Sequence, residues 1–453
     1  MKTINPATGE TLKDYQEMEF GEIDSIIQEA NSAQKKWKAK SFDERAEHLR
    51  KMAEILKDRK HQLAELMAKE MGKPLVQGVG EAEKCAWVCE YYADNAEAFL
   101  GNDVIETDAS KSYVTFNPLG VVLAIMPWNF PFWQLFRFAA PALMAGNGAI
   151  LKHSENSTGC ALEIEKIIHD AGIPKDLFRT ILRDKSGMKE VIQHEGIAAV
   201  TLTGSTRAGK AVASQAGETL KKTVLELGGS DPYVILEDAD IKKAAETCAT
   251  SRLINSGQSC IAAKRFIVTE KVYDEFVEEF IKIMKSQKVG DPFDQDTDVG
   301  PQAREDLRDE LHEQVQKSVE KGAKILLGGG KPKGAGAYYP VTVLGNVDSG
   351  MPAYEEELFG PVAAIIKVRD EEEAIKVAND TNFGLGAAVF SKDIKRAEEI
   401  AATKLEAGCC FVNEFVKSDP RLPFGGIKQS GYGRELSLYG IREFVNAKTV
   451  YVK

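Results

Sequence analysis

The chain has 453 residues, of which 43% are hydrophobic and 28% charged, so it is a globular protein long enough for two or three domains. Its formal net charge of −11 is not offset by a basic block, which makes nucleic acids and anionic membrane surfaces unfavourable partners. Its seven cysteines form no CxxC pair or framework spacing, and its N-terminus has no signal-segment pattern, so we expect free thiols in a reducing cytoplasm.

The first long helix is predicted to begin after Ser41, because the sequence S-F-D-E forms a capping box with Glu44. Apolar residues then recur at helical spacing until Gly72 and Pro74 end the run. Further along, the longest apolar tract, residues 121–151, is interrupted by prolines and polar residues. We therefore expect it to form buried protein core instead of a membrane span.

Short β-rich runs alternate with helical runs from residue 121 onward, which is typical of a parallel, doubly wound α/β sheet. A second alternating series begins near Pro232, so we expect two α/β domains with a boundary at residues 228–230. The C-terminal residues 446–453 form a predicted strand that pairs with a distant segment or across a subunit interface. The predicted helices of the two series span 132–145, 158–171, 206–219, 240–255 and 271–286.

A glycine-rich turn, G-S-T-R-A-G from Gly204 to Gly209, follows a predicted strand and precedes a predicted helix. Free N–H groups and the positive end of the helix dipole meet at such a position, and both favour a phosphate. The spacing to Lys210 also matches most of a P-loop, but Ala211 replaces the magnesium-binding hydroxyl residue, which disfavours nucleotide hydrolysis. The alternative that this is a strand-turn-helix unit that binds no ligand stays open at this point.

Three further segments follow predicted strands, where ligands gather in open α/β sheets: PWNFP at 127–131, LKHSE at 151–155 and LELGG at 225–229. The first segment also fits a rigid turn, and the charges of the second also fit an exposed surface. Glu226 in the third segment lies between two leucines. A buried carboxylate is costly unless it has a partner or a task, so Glu226 is a candidate functional residue.

Cys260 lies at the end of the segment GQSC, behind small and polar residues. The residue alone leaves two interpretations, a packed thiol or a nucleophile.

These segments occur together with ELFGP at 357–361, PFGG at 423–426 and K-x-S-G at 428–431. In the order and spacing of these motifs, the chain resembles the NAD(P)-dependent aldehyde dehydrogenases over essentially its whole length. Within that family, residues 129–147 and the short total length are similar to the bacterial succinate-semialdehyde dehydrogenases.

The resemblance implies an aldehyde dehydrogenase-like α/β fold with a Rossmann-type cofactor domain, an α/β catalytic domain and a small β-flap for oligomerisation. The expected cofactor domain spans 1–102 and 121–229, and the expected catalytic domain spans 230–435. The expected flap consists of 103–120 and 436–453. Members of the family form dimers or tetramers, so we expect a homodimer or a homotetramer.

The resemblance also assigns a reaction, the oxidation of an aldehyde, with succinate semialdehyde as the expected substrate. Cys260 would attack the carbonyl carbon, and the Asn129 amide together with the Cys260 N–H would hold the oxyanion of the thiohemiacetal. After hydride leaves for the nicotinamide, Glu226 would activate the water that hydrolyses the thioester. The alternatives are a broader-range aliphatic aldehyde dehydrogenase, a cofactor-free cysteine esterase or hydrolase, an acylating dehydrogenase that uses coenzyme A, and a non-catalytic binding protein.

The same resemblance implies that eight residues bind NAD or NADP: Trp128, Lys152, Glu155, Gly204, Ser205, Gly209, Glu357 and Phe359. Lys152 and Glu155 would contact the adenosine ribose, and Glu357 the nicotinamide ribose. The Glu155 carboxylate favours NAD because it repels a 2′-phosphate. His153 replaces the usual proline, however, and Lys152 with a protonated His153 could accept that phosphate, so NADP stays possible.

Substrate recognition is expected from Arg137, which matches a substrate-binding arginine of the succinate-semialdehyde members. A guanidinium there would bind a remote carboxylate, although pairing with a local acid stays open. Ser418 could add a hydrogen bond to that carboxylate, and the alternative that it is an ordinary loop residue stays open. The apolar walls are expected from side chains that could also be ordinary core residues, namely Phe132, Trp133, Phe136 and Phe415.

Metal binding and thiol switching are not expected. The six histidines and the acidic residues show no metal-ligand spacing. Ala262 occupies the place where some relatives carry a second cysteine, so a disulfide at the nucleophile is not expected. Cys409 and Cys410 are either buried strand thiols or sites of oxidation.

Overall fold

The computed structural model describes residues 1–453 and contains strands and helices along the whole chain. The strands are β1 (Lys2–Ile4), β2 (Thr11–Asp14), β3 (Asp103–Val104), β4 (Lys111–Pro118), β5 (Val121–Met126), β6 (Gly148–His153), β7 (Phe178–Thr180), β8 (Ala199–Thr203), β9 (Lys222–Glu226), β10 (Pro232–Ile235), β11 (Arg265–Thr269), β12 (Lys324–Leu327), β13 (Thr342–Gly345), β14 (Val362–Val368), β15 (Gly386–Phe390), β16 (Cys409–Val412), β17 (Gly431–Tyr432) and β18 (Val445–Val452). The helices are α1 (Phe20–Trp37), α2 (Phe42–Asp58), α3 (Lys60–Met71), α4 (Leu75–Phe99), α5 (Trp133–Met144), α6 (Thr158–Asp170), α7 (Met188–Gln193), α8 (Thr206–Gly217), α9 (Ile241–Leu253), α10 (Tyr273–Ser286), α11 (Glu305–Glu320), α12 (Pro352–Glu355), α13 (Glu371–Asn379), α14 (Ile394–Glu399) and α15 (Ser437–Ile441). None of these helices is long and apolar enough to cross a lipid bilayer.

The first large sheet has six strands in the order β17-β9-β8-β5-β6-β7. Its central strand β5 pairs in parallel with β6 and β8 and is almost entirely buried, because α1 and α5 pack against this part of the sheet. The alternating pattern from residue 121 predicted this sheet, and α5, α6 and α8 begin and end within two residues of their predicted bounds. The short strand β17 joins it antiparallel from near the C-terminus, which the local pattern did not predict.

The second large sheet has seven strands in the order β12-β13-β14-β11-β10-β15-β16. All of its pairs are parallel except the pair of β12 and β13. The helices predicted at 240–255 and 271–286 correspond to α9 and α10. Cys260 lies between α9 and β11, so this sheet positions the candidate nucleophile. The expected bounds of the domains stay a prediction.

A separate antiparallel sheet consists of β18, β4 and β3. β18 pairs with β4 of the same chain, from Val445 opposite Pro118 to Val452 opposite Lys111. The C-terminal strand therefore has a distant partner within its own chain, and this pairing does not need a second subunit. β18 has no neighbour on its other edge, and Tyr451 is 52% exposed on this strand.

The capping box predicted at Ser41 is present and starts α2. The prediction that this is the first long helix is wrong, because α1, with 18 residues, precedes it. Ser41 Oγ accepts a hydrogen bond from Glu44 N at 3.2 Å, and Glu44 Oε2 accepts one from Ser41 N at 2.7 Å. The single helical run predicted up to Gly72 is wrong, however, because it is divided into α2 and α3 with Arg59 between them. The Arg59 guanidinium binds Asp170 of α6 at 2.7 Å, a tertiary contact that a local pattern cannot predict.

Candidate active site

Three consecutive residues in front of Cys260 adopt the left-handed backbone conformation: Asn255 (φ 55°), Ser256 (φ 57°) and Gly257 (φ 77°). This conformation is unfavourable for residues that carry a side chain, so surrounding contacts must hold it. Asn255 Nδ2 provides such a contact by donating a hydrogen bond to Asn129 O at 2.6 Å. The loop with the candidate nucleophile is therefore fixed to the loop with the candidate oxyanion donor.

Gly257 packs directly against the ELFGP segment. A Cβ atom at this position would lie 2.3 Å from the carbonyl carbon and oxygen of Gly360, and backbone atoms in a packed core cannot yield to that overlap. Next to it, Ser256 Oγ accepts a hydrogen bond from Gly300 N at 2.8 Å. The first residue of the GQSC sequence is therefore a glycine for a steric reason as well as a conformational one.

Lys264 connects Cys260 to Glu357 of the ELFGP segment. Its Nζ donates hydrogen bonds to the carbonyl oxygens of Ser259 at 2.8 Å and Cys260 at 2.6 Å. The Glu357 carboxylate lies 3.4 Å from the same ammonium group and accepts a hydrogen bond from Gly229 N at 3.0 Å. The motifs assigned no role to this buried lysine, because a side chain that binds backbone carbonyls leaves no signature in the sequence.

Cys260 is a neutral thiol in the free protein at neutral pH. Burial raises the pKa of this thiol to about 12, and the positive charges of Arg137 and Lys264 offset only part of that effect. Because the thiolate is the reactive form, a nucleophilic role needs a base that removes the thiol proton when an aldehyde is bound.

Glu226 is the last residue of β9 and is only 2% exposed. Neither of its carboxyl oxygens has a hydrogen-bond partner. Burial raises the pKa of this carboxyl well above its usual value, and the nearby charge of Glu435 raises it further. A buried carboxyl without a partner is expected to have a task, and a raised pKa suits a group that takes a proton from a thiol or from water.

Asn129 follows β5 and is buried beside the nucleophile loop. Its Nδ2 donates a hydrogen bond to Gln258 O at 3.1 Å, which leaves the second N–H of the amide group available. Its Oδ1 has no hydrogen-bond partner. A side-chain amide held in this way can donate to an oxyanion that forms on an adduct of Cys260.

Cys260 lies in the walls of two cavities. The first cavity has a volume of about 380 Å³, and Asn129 and Glu357 also line it. The second has a volume of about 580 Å³, and Arg137 and Phe415 also line it. A thiol that faces both cavities can contact two different small molecules, which is the arrangement that a reaction between a substrate and a cofactor requires.

The first cavity fits a nicotinamide dinucleotide. The rings of Trp128 and Phe359 are perpendicular, with centroids 5.7 Å apart, and provide an apolar wall. Ser205 caps the N-terminus of α8, where free N–H groups suit a phosphate. The Asn129 Oδ1 atom in the same wall is a buried acceptor without a partner. The expected cofactor residues that line this cavity are Trp128, Gly204, Ser205, Glu357 and Phe359.

The other expected cofactor residues do not line the cavity. Lys152 and Glu155 lie at the carboxyl end of β6, beside the end of β5, and their contact with a ribose stays a prediction. Gly209 lies in α8 against β9, because a Cβ atom there would lie 2.5 Å from Leu227 Cδ1. This contact indicates a packing role for Gly209, and its contact with a cofactor stays a prediction.

His153 does not supply the positive charge that the sequence offered for a 2′-phosphate. Its ring is buried, its Nε2 lies 3.0 Å from Pro131 O, and burial lowers its pKa to about 4. The imidazole is therefore neutral at physiological pH. Lys152 and Arg304 are the cations on which the charge of Glu155 acts, and burial lowers the pKa of Lys152.

Phe132 belongs to the hydrophobic core and does not form a wall of the second cavity. It is fully buried, and its backbone N–H donates to Glu81 Oε1 at 2.9 Å. Phe136 lies in the same core, and Phe130 faces the cavity instead. The expected substrate residues that do line the second cavity are Trp133, Arg137, Phe415 and Ser418.

Arg137 is buried and already paired with an acid. Its guanidinium forms an ion pair with Glu435 and donates a hydrogen bond to Thr203 Oγ1 at 3.1 Å. It also lies 4.9 Å from the centroid of the Phe424 ring. Pairing with an acid is the alternative that the sequence left open, so the binding of a carboxylate by Arg137 stays a prediction.

Several residues of the two cavities were missed at the sequence level. Phe130, Phe424 and Lys84 line the second cavity, and Gln314 of α11 lines the first. A signal for Phe424 was present, since it belongs to the PFGG motif. Lys84 gave no signal, because a lysine on a long helix is usually exposed to solvent.

Cys409 and Cys410 are half-buried free thiols at the start of β16. Burial raises the pKa of each thiol to about 11, so both are protonated at neutral pH. This lowers their reactivity towards oxidants, because oxidation follows the thiolate fraction. A redox role for either residue stays a prediction.

The model of the aldehyde dehydrogenase family matches residues 1–450 of the chain. A protein of Escherichia coli (strain K12), named succinate semialdehyde dehydrogenase (NAD(P)+) Sad, is 46% identical over 449 residues, which are 99% of this chain and 97% of that protein. A probable NADP+-dependent succinate-semialdehyde dehydrogenase of Synechocystis sp. is 47% identical over 450 residues, which are 99% of each chain. The solved structure of succinic semialdehyde dehydrogenase from Streptococcus pyogenes, in complex with NADP+, is similar with a TM-score of 0.97 and 39% identity, over 100% of this chain and 99% of that one.

Proposed function

Because the chain belongs to the aldehyde dehydrogenase family, we propose that it oxidises succinate semialdehyde to succinate with NAD(P)+ as the hydride acceptor. Two relatives at 46% and 47% identity carry this activity in their names. The observation that carries the proposal is the position of Cys260, which lines both the cavity that fits a dinucleotide and the larger cavity beside it.

In the proposed reaction Cys260 adds to the aldehyde carbon after losing its thiol proton, and a thiohemiacetal forms. The Asn129 amide and the Cys260 N–H donate hydrogen bonds to the oxyanion of this adduct. The bound dinucleotide supplies the hydride acceptor that turns the adduct into a thioester. Glu226 then takes a proton from the water that attacks the thioester, and succinate leaves as the thiol re-forms.

Glu357 and Lys264 are proposed to hold the nicotinamide ribose and the nucleophile in one arrangement. Glu357 lines the first cavity, and one of its carboxyl oxygens accepts from Gly229 N. The other oxygen is available to accept from a ribose hydroxyl. Lys264 contributes by pairing with this carboxyl group, which opposes the rise in its pKa that burial causes, and by binding the carbonyl oxygen of Cys260.

The assay that tests the proposal mixes the purified protein with succinate semialdehyde and NAD+ or NADP+ and follows the reduced nicotinamide. We expect reduction that needs no coenzyme A and is lost in Cys260→Ala. Absence of reduction with any aldehyde overturns the proposal. Equal activity with many aliphatic aldehydes would indicate a broader substrate range. Dependence on coenzyme A would indicate an acylating enzyme. Ester hydrolysis in the absence of a dinucleotide would indicate a hydrolase.

We also propose that NAD+ is preferred over NADP+, because the Glu155 carboxylate accepts from a 2′-hydroxyl and repels a 2′-phosphate. Glu155→Gln removes this repulsion and leaves Lys152 beside the phosphate. The ratio of kcat/KM for NADP+ to that for NAD+ should therefore rise by about tenfold or more. His153→Gln is the control, since the neutral imidazole contributes no charge, and its ratio should stay near that of the wild type. An unchanged ratio in Glu155→Gln contradicts the preference.

We infer in addition a cytoplasmic homodimer or homotetramer. All seven cysteines are free, as is usual in a reducing compartment. The sheet of β18, β4 and β3 carries exposed apolar side chains, including Val104 at 73% and Tyr451 at 52% exposure. Apolar side chains on an open sheet edge favour contact with a second copy.

A further inference from the structure

The second cavity is lined by five charged side chains, and most of them are already paired. Arg137 forms its ion pair with Glu435. Glu81 forms an ion pair with the buried Lys73, and it also accepts hydrogen bonds from two backbone N–H groups at the start of α5. These two side chains therefore offer no uncompensated charge to a ligand. The five are Glu81, Lys84, Arg137, Asp298 and Lys417.

Two of the other three are also bound to neighbouring groups. The Lys417 ammonium lies 3.4 Å from the Glu414 carboxylate and is largely exposed. Asp298 accepts a hydrogen bond from the backbone N–H of Lys288 at 2.8 Å. Lys84 alone has no carboxylate within ion-pairing distance, although the more distant charges of Glu81 and Asp419 act on it. It is therefore the one cation of this cavity that forms no ion pair.

Lys84 extends from α4 into the cavity, where it is half-buried. Its Nζ donates a hydrogen bond to Ser418 Oγ at 2.8 Å and lies 4.3 Å from the centroid of the Trp133 ring. An ammonium group has three N–H donors, so two of them are not used by Ser418. Burial lowers the pKa of this lysine to about 8, with a further contribution from the charge of Arg137. An anion bound beside Lys84 would offset the free-energy cost of burying its positive charge.

We propose that Lys84, together with Ser418, binds the carboxylate of the aldehyde substrate and so determines the specificity of the enzyme for succinate semialdehyde. The inference rests on the proposed function and adds a residue that no motif indicated. In this arrangement Arg137 keeps its ion pair with Glu435 and contributes packing and positive electrostatic potential. The charge that the substrate carboxylate neutralises is that of Lys84.

The lining of the cavity suits a short substrate with two different ends. Lys84 and Ser418 belong to the polar part of its wall, and Cys260 belongs to the same wall. Aromatic side chains, among them Phe130 and Phe424, also line it and suit the methylene groups between the aldehyde and the carboxylate. An uncharged aldehyde of the same length can reach Cys260 but gains nothing from Lys84.

The test compares succinate semialdehyde with butanal in the wild type and in three variants. Lys84→Met keeps the length of the side chain and removes its charge, and Lys84→Arg keeps the charge. Lys60→Met is the matched control, because Lys60 pairs at 2.6 Å with Glu83, the residue next to Lys84, and lies outside the cavity. We expect Lys84→Met to lower kcat/KM for succinate semialdehyde by about tenfold or more, mainly through KM, and to change it little for butanal.

Lys84→Arg should retain most of the preference for succinate semialdehyde, and Lys60→Met should behave as the wild type. Equal losses for the two aldehydes in Lys84→Met, or no loss for either, overturn the inference. Inhibition of butanal oxidation by succinate is a second readout, since the inhibition constant should rise about tenfold in Lys84→Met. If the wild type does not oxidise succinate semialdehyde, the proposed function fails, and the inhibition by succinate still decides whether Lys84 binds a carboxylate.

Discussion

Burial of the Cys260 sulfur has a direct consequence for its reactivity in the free protein. With a pKa of about 12, the thiol carries very little negative charge at neutral pH. Reagents that need a thiolate should therefore modify it slowly until the pH is strongly alkaline or until a neighbouring base takes the proton.

We predict that the rate of Cys260 alkylation by iodoacetamide rises about tenfold per pH unit between about pH 7 and pH 10, without a plateau. The sign follows from the raised pKa, since the thiolate fraction keeps increasing with pH as long as the pH stays below the pKa. The measurement is mass spectrometry of the peptide that contains Cys260, which separates it from Cys409 and Cys410. A plateau below about pH 9 would show that the thiol is activated in the free protein.

The candidate catalytic residues could be singled out from the sequence, and their roles stay a prediction. The partners of the charged side chains could not be predicted. Cys260, Asn129 and Glu226 lie within short motifs whose residue types follow from the chemistry of an acyl transfer. The ion pair of Arg137 joins residues far apart along the chain, and Glu435 carries no local signal. For the same reason the position of Lys84 in the second cavity became visible only in the fold.

At the scale of elements, the segment between α9 and β11 is restricted by its own backbone conformation and by its contact with the segment around Gly360. Its left-handed residues 255–257 end three positions before Cys260, and Gly257 packs against the backbone of Gly360. Any displacement of this segment moves the sulfur relative to Asn129. A change that adds one carbon atom should therefore affect the reaction more than it affects the fold as a whole.

We predict that Gly257→Ala lowers kcat/KM by about a hundredfold, because the new Cβ atom would lie 2.3 Å from the Gly360 carbonyl group and must displace the nucleophile loop. Steady-state kinetics together with the thermal midpoint of unfolding would measure both effects. Gly217→Ala at the end of α8 is the matched control, since its Cβ atom would meet nothing within 4 Å. Wild-type kinetics in Gly257→Ala would contradict the steric argument.

The bounds of helices in the two α/β series could be predicted well, because apolar periodicity and caps act locally. The division between α2 and α3 could not, since Arg59 departs from helical geometry where its side chain binds α6. The addition of β17 to the first sheet depends on a contact between β17 and β9 that brings the end of the chain back to Glu226. Local patterns contain no information on such pairings.

At the scale of the whole molecule, the small sheet of β18, β4 and β3 is the surface on which we expect a second copy to bind. We predict that Val104→Asp combined with Tyr451→Asp reduces the mass of the assembly measured by light scattering, because two charges replace exposed apolar groups on this sheet. Leu220→Asp is the control, since Leu220 is 95% exposed and lies outside the sheet. A wild-type mass of 49.7 kDa would show a monomer and contradict the assembly itself.

Cys260 lies in the walls of two cavities and not at the end of one, so neither reactant has to leave before the other enters. We therefore predict that a ternary complex forms before any product is released. Plots of reciprocal initial velocity against reciprocal aldehyde concentration, at several dinucleotide concentrations, should therefore intersect. A parallel pattern would mean that the two reactants occupy the enzyme in turn.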